Sequence, residues 1–88
     1  MNLNDVLADA GATSIEDLSD PQLVAATSTA VYFRYPHTSE LHAEAGRRGK
    51  PWLYQQGWNR AYQEAGYVLS DADLAAAQPA TTAADRER

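Results

Sequence analysis

Residues 51–66, PWLYQQGWNRAYQEAG, decide the fold, because they carry the signals of one complete helix. Pro51 suits the first helical position, where its fixed φ is favourable and its missing N–H needs no partner. Gly66 suits the position after the last turn, where the backbone enters the left-handed region. At 100° per residue, small and apolar side chains cover one half of this helix. They are Leu53, Tyr54, Gly57, Trp58, Ala61, Tyr62 and Ala65.

Gly57 lies in the middle of this apolar half. A glycine inside a helix costs about 1 kcal/mol relative to alanine. We therefore expect another helix to approach closely at this residue.

The opposite half of the helix is rich in amides and nearly uncharged, whereas a solvated helix face usually carries Glu and Lys. Its side chains are Trp52, Gln55, Gln56, Asn59, Arg60 and Gln63, and the preceding turn adds Arg47, Arg48 and Lys50. Trp and Arg are enriched at protein interfaces, and a basic turn can steer an acidic partner or hold a phosphate. These nine residues form the candidate partner-binding site. In the alternative interpretation, Trp52 packs on the preceding loop or on the helix predicted for residues 21–35.

That preceding helix is predicted to begin with Asp20 as its N-cap and Pro21 at its first position, and to run to Tyr35, before Pro36. Small and apolar residues surround it, so it should be the central helix. The segment TAVYFRY at residues 29–35 is rich in β-formers, and a strand there is the open alternative. The side chains expected to be buried are Leu23, Val31, Tyr32, Tyr54, Trp58 and Tyr62.

Further helices are indicated on both sides of this pair. Asn2 or Asn4 can cap a first helix that ends at Gly11, a third helix runs from Thr38 or Ser39 to Gly49, and Ser70 caps a weak last helix. The fold class is therefore all-α, a small compact bundle of four to five short helices. We expect one domain over residues 1–78 and a disordered tail over residues 79–88, which have no large apolar side chain.

Charge and aromatic content are unevenly distributed along the chain. The net charge is −5, yet residues 31–67 carry five basic against three acidic residues and all eight aromatic side chains. Such asymmetry is typical of a nucleic-acid face, or of acidic and basic parts that fold against each other. An excess of two positive charges is weak for phosphate-driven binding, which favours the second interpretation.

Several classes of protein are excluded or disfavoured. The chain has no cysteine, so disulfides and thiolate chemistry are excluded, and its N-terminus lacks the pattern of a signal peptide. We expect a cytoplasmic protein with no membrane contact. His37 and His42 lie near Glu40 and Glu44, but their spacing matches no standard zinc site. We expect no metal, no cofactor and no enzymatic activity.

The segment YQQGWNRAYQEAG at residues 54–66 resembles the first-helix pattern of the ribosome modulation factor family. The matching positions are Tyr54, Gly57, Trp58, Ala61 and Gly66, and the resemblance covers 13 of the 88 residues. It implies binding to ribosomal RNA and a role in ribosome hibernation.

These observations favour a non-catalytic small protein-interaction module. An accessory protein, regulator or inhibitor of a phage, another mobile element or a bacterium would fit, with another protein bound at the Trp52/Arg60 helix face. The first alternative is a ribosome- or RNA-associated protein, and the second is a structural or assembly subunit.

Overall fold

The computed structural model describes residues 2–36 and 38–79, which form five α-helices joined by short loops. In chain order the helices are α1 (Leu3–Asp9), α2 (Asp20–Tyr32), α3 (Ser39–Arg47), α4 (Trp52–Glu64) and α5 (Asp71–Ala76). No residue of the described ranges lies in a strand, so the prediction of an all-α bundle is confirmed. The strand alternative for residues 29–35 is wrong, since α2 continues to Tyr32.

Three helices begin with a reciprocal capping box, in which the N-cap side chain and the third helical residue bond each other's backbone N–H. The pairs are Asn2 with Asp5, Ser19 with Gln22, and Ser70 with Asp73. The caps of α1 and α5 are among those predicted, but α2 is capped by Ser19 rather than Asp20. Ser19 is the N-cap because Gln22 follows it by three residues and completes the capping box. The Gln22 Oε1 accepts a hydrogen bond from the Ser19 N–H at 2.8 Å.

Four helices end in the same way, with one residue in the left-handed region. Glycine occupies that position after α1, α3 and α4, at Gly11, Gly49 and Gly66. After α2 the position is held by Arg34, with a φ of 59°. In each case the next N–H donates to the carbonyl five residues earlier, as in a Schellman motif.

The Arg34 turn explains why α2 ends three residues before the predicted Tyr35. The left-handed residue reverses the chain, and the Tyr35 N–H donates to the Ala30 carbonyl at 2.7 Å. The Tyr35 side chain is then buried in the core. The helix therefore ends through this turn, before the chain reaches Pro36.

Helices α2 and α4 form the centre of the bundle, and they meet at Gly57. A Cβ atom added to Gly57 would lie 2.5 Å from the Thr27 Cβ and 2.6 Å from the Val24 carbonyl oxygen. Neither distance is sterically possible, so only glycine permits this approach. The prediction of a close helix contact at Gly57 is confirmed.

The core around this contact consists mainly of small and aliphatic side chains contributed by α1 to α4 and the loops, and Tyr35 is its one aromatic member within the described ranges. Its fully or nearly buried members are Val6, Leu7, Leu18, Leu23, Ala26, Ala30, Tyr35, Leu41, Ala45, Leu53 and Ala61.

Most of the large side chains predicted for the core lie at its edge instead. Leu23 is buried as expected, but Val31, Tyr54, Trp58 and Tyr62 are only half-buried. Tyr32 is 48% exposed, so its predicted burial is wrong. The reason is the short distance between α2 and α4, which leaves room for alanine, threonine and glycine along the contact but not for rings.

None of the helices in residues 2–36 and 38–79 combines the length and the apolar character needed to cross a membrane. The predicted tail, residues 79–88, lies outside the described ranges except for Pro79.

The close helix contact predicts opposite effects for two Gly→Ala substitutions. Gly57→Ala should lower the free energy of unfolding by about 1–3 kcal/mol, because the clash with α2 exceeds the gain in helix propensity. Gly46→Ala in α3 is the matched control, since an added methyl group there meets nothing within 4 Å. It should raise stability by up to about 1 kcal/mol. Urea unfolding of both variants checks this, and a Gly57→Ala variant at least as stable as wild type would contradict it.

Candidate binding surface

The amide face of α4, predicted to bind a partner, is largely covered by α5. Asn59 is only 5% exposed, and its Nδ2 donates to the Asp73 carbonyl at 2.8 Å. The Gln56 Nε2 donates to the Ala77 carbonyl at 2.9 Å. The Gln55 Nε2 in turn donates to the Asn59 Oδ1 at 2.8 Å and orients that amide. These amides therefore hold α5 on the bundle.

The basic turn after α3 is engaged within the fold as well. Glu44 is buried and accepts bonds from Arg47 Nε at 2.9 Å, Arg47 Nη2 at 2.6 Å and Arg48 Nε at 2.6 Å. Arg48 also reaches Asp20 Oδ1 at 3.1 Å, and Lys50 Nζ lies 2.6 Å from Asp20 Oδ2. The cluster ties the end of α3 to the start of α2.

These ion pairs set the pKa values of the two carboxyl groups. The hydrogen bond from Arg47, followed by that from Arg48, lowers the pKa of Glu44, and burial opposes the shift. The hydrogen bond from Lys50, with a further one from Arg48, lowers the pKa of Asp20. Both carboxylates therefore stay ionised at neutral pH and hold their cations.

Trp52 and Arg60, at the centre of the predicted site, have different surroundings. Trp52 is half-buried and packs against the hydrophobic core. Arg60 is exposed and pairs only loosely with Glu64, at 3.5 Å. Gln63 is exposed too. Of the six residues on the amide face of α4, only Arg60 and Gln63 are therefore exposed to solvent.

Among the residues that the structure describes, no three His, Asp or Glu side chains come together in a group that could hold a metal ion. Glu44 is occupied by the two arginines, and the ring of His42 packs edge-on against Tyr54 with centroids 4.8 Å apart. His37 lies outside the described ranges.

Four of the five large apolar side chains that are exposed in the described ranges lie where α2 and α4 end. We call this surface the aromatic patch and define it as Tyr32, Phe33, Tyr62, Tyr67 and Val68. Phe33 and Tyr67 are each 62% exposed, and Val68 is 97% exposed. Tyr32 and Phe33 meet edge-on at 5.1 Å, and Tyr62 lies between Trp58 at 3.9 Å and Tyr67 at 5.3 Å.

Two open clefts flank Tyr32 within this region. One, of about 140 Å³, is lined by Val31, Tyr32, Arg34, Ala61, Tyr62, Ala65 and Tyr67. The other, of about 290 Å³, is lined by Asp9, Ala25, Ser28, Thr29, Tyr32, Phe33, Arg60 and Glu64. Arg60 is thus the residue of the predicted site that borders the aromatic patch.

The sequence contained a signal for this patch that was missed. Residues 31–35 read VYFRY, five large side chains in succession. Successive helical residues point about 100° apart, so one helix cannot direct all of them towards its core. Some of these rings had to remain at the surface or leave the helix.

The Glu44 cluster predicts a pH-dependent difference between wild type and Glu44→Gln. A carboxyl group with a lowered folded pKa contributes stability that is fully present above its ordinary pKa, 4.5 for Glu44. That contribution is lost as the pH falls through the lowered value. Glu44→Gln should therefore be less stable by about 2 kcal/mol at pH 7, and the difference should be smaller at about pH 3, below the ordinary pKa of this carboxyl group.

Glu64→Gln is the matched control, because Glu64 also pairs with an arginine four residues away but is 56% exposed. Its loss should not exceed about 0.5 kcal/mol at either pH. Urea unfolding at the two pH values measures both. Equal losses for the two variants at pH 7 would show that the buried cluster contributes no more than a surface pair.

No family model, no curated protein and no solved structure matches this chain. Its function is therefore inferred from its own residues and geometry.

Proposed function

We propose that this chain is a small, non-catalytic protein-interaction module whose partner binds at the aromatic patch. The observation that carries the proposal is the exposure of Phe33 and Tyr67, 62% each, on a domain whose core, within the described residues, holds one aromatic side chain, that of Tyr35. Burying either ring in the core would favour folding, yet both lie at the surface. Exposed apolar surface of this kind is typical of binding sites.

The composition of the patch fits a protein interface. Tyr and Phe are enriched in such interfaces, where their rings provide a large contact area. Ring-to-ring contacts among Tyr32, Phe33, Tyr62 and Tyr67 already restrict these side chains, which reduces the entropy lost on binding. The patch is thus partly organised before a partner arrives.

The charges around the patch favour a protein over a nucleic acid. Arg34 and Arg60 line its two clefts, but Asp9 and Glu64 line the second cleft beside Arg60. A surface with balanced charge has little to gain from displacing counterions along a phosphate backbone. Binding to RNA or the ribosome, as the family resemblance implies, and a role as an assembly subunit remain predictions that the same experiment addresses.

Arg60 connects this proposal with the site predicted from the sequence. Its pairing with Glu64 is exposed and 3.5 Å long, so the pair contributes little to stability. Arg60 can therefore exchange Glu64 for a carboxylate of the partner at low cost.

The experiment is affinity capture from a lysate of the source cell, followed by titration of the purified captured protein. Phe33→Ala and Tyr67→Ala should each weaken that binding by about 2 kcal/mol or more, as expected for rings at the centre of an interface. Leu74→Ala is the control, because it removes an exposed apolar side chain of α5 that lies outside the patch. It should leave the affinity unchanged.

Three results would contradict the proposal. Unchanged affinity in both ring variants would place the interface elsewhere. Capture of RNA that is released by about 0.5 M salt would favour the RNA alternative. A wild-type chain that elutes only as an oligomer held by these rings would favour the assembly-subunit alternative.

A further inference from the structure

Arg34 stands apart from the other basic residues of the fold. Arg47, Arg48, Lys50 and Arg60 each have a carboxylate within ion-pair distance. Within residues 2–36 and 38–79, Arg34 is the one Lys or Arg side chain that forms no such pair. Its side chain is exposed and lines the cleft of about 140 Å³ beside Tyr32, Tyr62 and Tyr67.

The backbone at Arg34 shows that the fold does not favour this residue. Arg34 has a φ of 59°, and the three equivalent helix ends have glycine. The left-handed region is strained for a residue with a Cβ and free of strain for glycine. A side chain that makes no ion pair within the described residues and occupies a strained position is a candidate for a functional role.

We propose that this cleft binds an acidic segment of a protein partner, with one carboxylate on Arg34 and a neighbouring apolar side chain between the tyrosine rings. The inference rests on the proposed function and assigns the chemistry of the partner. The guanidinium donates in a planar fork that matches a carboxylate. A cavity of about 150 Å³ can hold a benzene ring, so the cleft suits one aromatic or branched aliphatic side chain.

The single cation and the aromatic walls of this cleft disfavour a nucleic acid or a second copy of the chain as its ligand. A nucleic acid would present a row of phosphates, whereas one cation, Arg34, lines the cleft within the described part of the chain. A second copy related by two-fold symmetry would bring two Arg34 side chains towards each other unless an acidic residue separated them. An acidic peptide segment satisfies both the charge and the aromatic walls.

The test is a selection of random dodecapeptides on immobilised full-length protein, followed by titration of the recovered peptides. We expect sequences with Asp or Glu next to an aromatic or branched aliphatic residue. Replacing that acidic residue by its amide, or Arg34 by glycine, should weaken binding at least about tenfold. Arg34→Lys should retain part of the affinity, because it keeps the charge without the planar fork.

Arg34→Gly also supplies its own control for folding. Glycine adopts the required φ without strain, so this variant should melt no lower than wild type. If Arg34→Gly is as stable as wild type but binds the peptides more weakly, the loss of binding is due to the missing guanidinium group.

The outcomes separate this inference from the proposed function. If Tyr67→Ala loses the peptides while Arg34→Gly binds them as wild type does, the aromatic patch is the interface and the carboxylate assignment is wrong. If no recovered peptide is sensitive to either substitution, both proposals fail. A single-stranded oligonucleotide whose binding Arg34→Gly abolishes, or a dimer that it dissociates, would overturn the assignment in favour of a phosphate or a second copy.

Discussion

The contact between α2 and α4 at Gly57 determines how the rest of the molecule is arranged. Because the Thr27 Cβ would lie 2.5 Å from any Cβ at position 57, the two helices pack almost backbone to backbone. Such a contact has room for Ala26, Thr27 and Ala30 but for no aromatic ring. The rings of Tyr32 and Tyr62 lie near the C-terminal ends of these helices, outside the contact, and with Phe33 and Tyr67 they form most of the aromatic patch. One steric constraint thus shapes the core and keeps the aromatic rings out of the contact between the two helices.

The crowding of basic and aromatic residues in the middle of the chain has two separate causes. Most of the basic residues are structural, since Arg47, Arg48 and Lys50 join α3 to the start of α2 through Glu44 and Asp20. This agrees with the interpretation that acidic and basic parts fold against each other. Most of the aromatic residues lie at or near the surface, and Arg34 is placed among them by the turn that ends α2.

Local sequence signals predicted most of the helices. The burial of individual side chains was predicted less well, because it depends on contacts between residues distant in the sequence. The caps at Asn2 and Ser70 and the close approach at Gly57 follow from single residues and their neighbours. The burial of Asn59 did not follow, because it depends on α5 folding back over α4, and the sequence of α4 contains no sign of that. The exposure of Tyr32 was missed because a helix surrounded by small residues was assumed to be buried along its whole length.

The attachment of α5 gives the bundle two levels of stability. This helix buries no side chain of its own, and the side-chain hydrogen bonds of α4 that hold it come from Gln56 and Asn59. Water can replace both bonds, whereas it cannot replace the packing at Gly57. We therefore expect α5 to detach in a low-energy, sub-global opening of the native state, in which the amide face of α4 becomes hydrated while α1 to α4 stay folded.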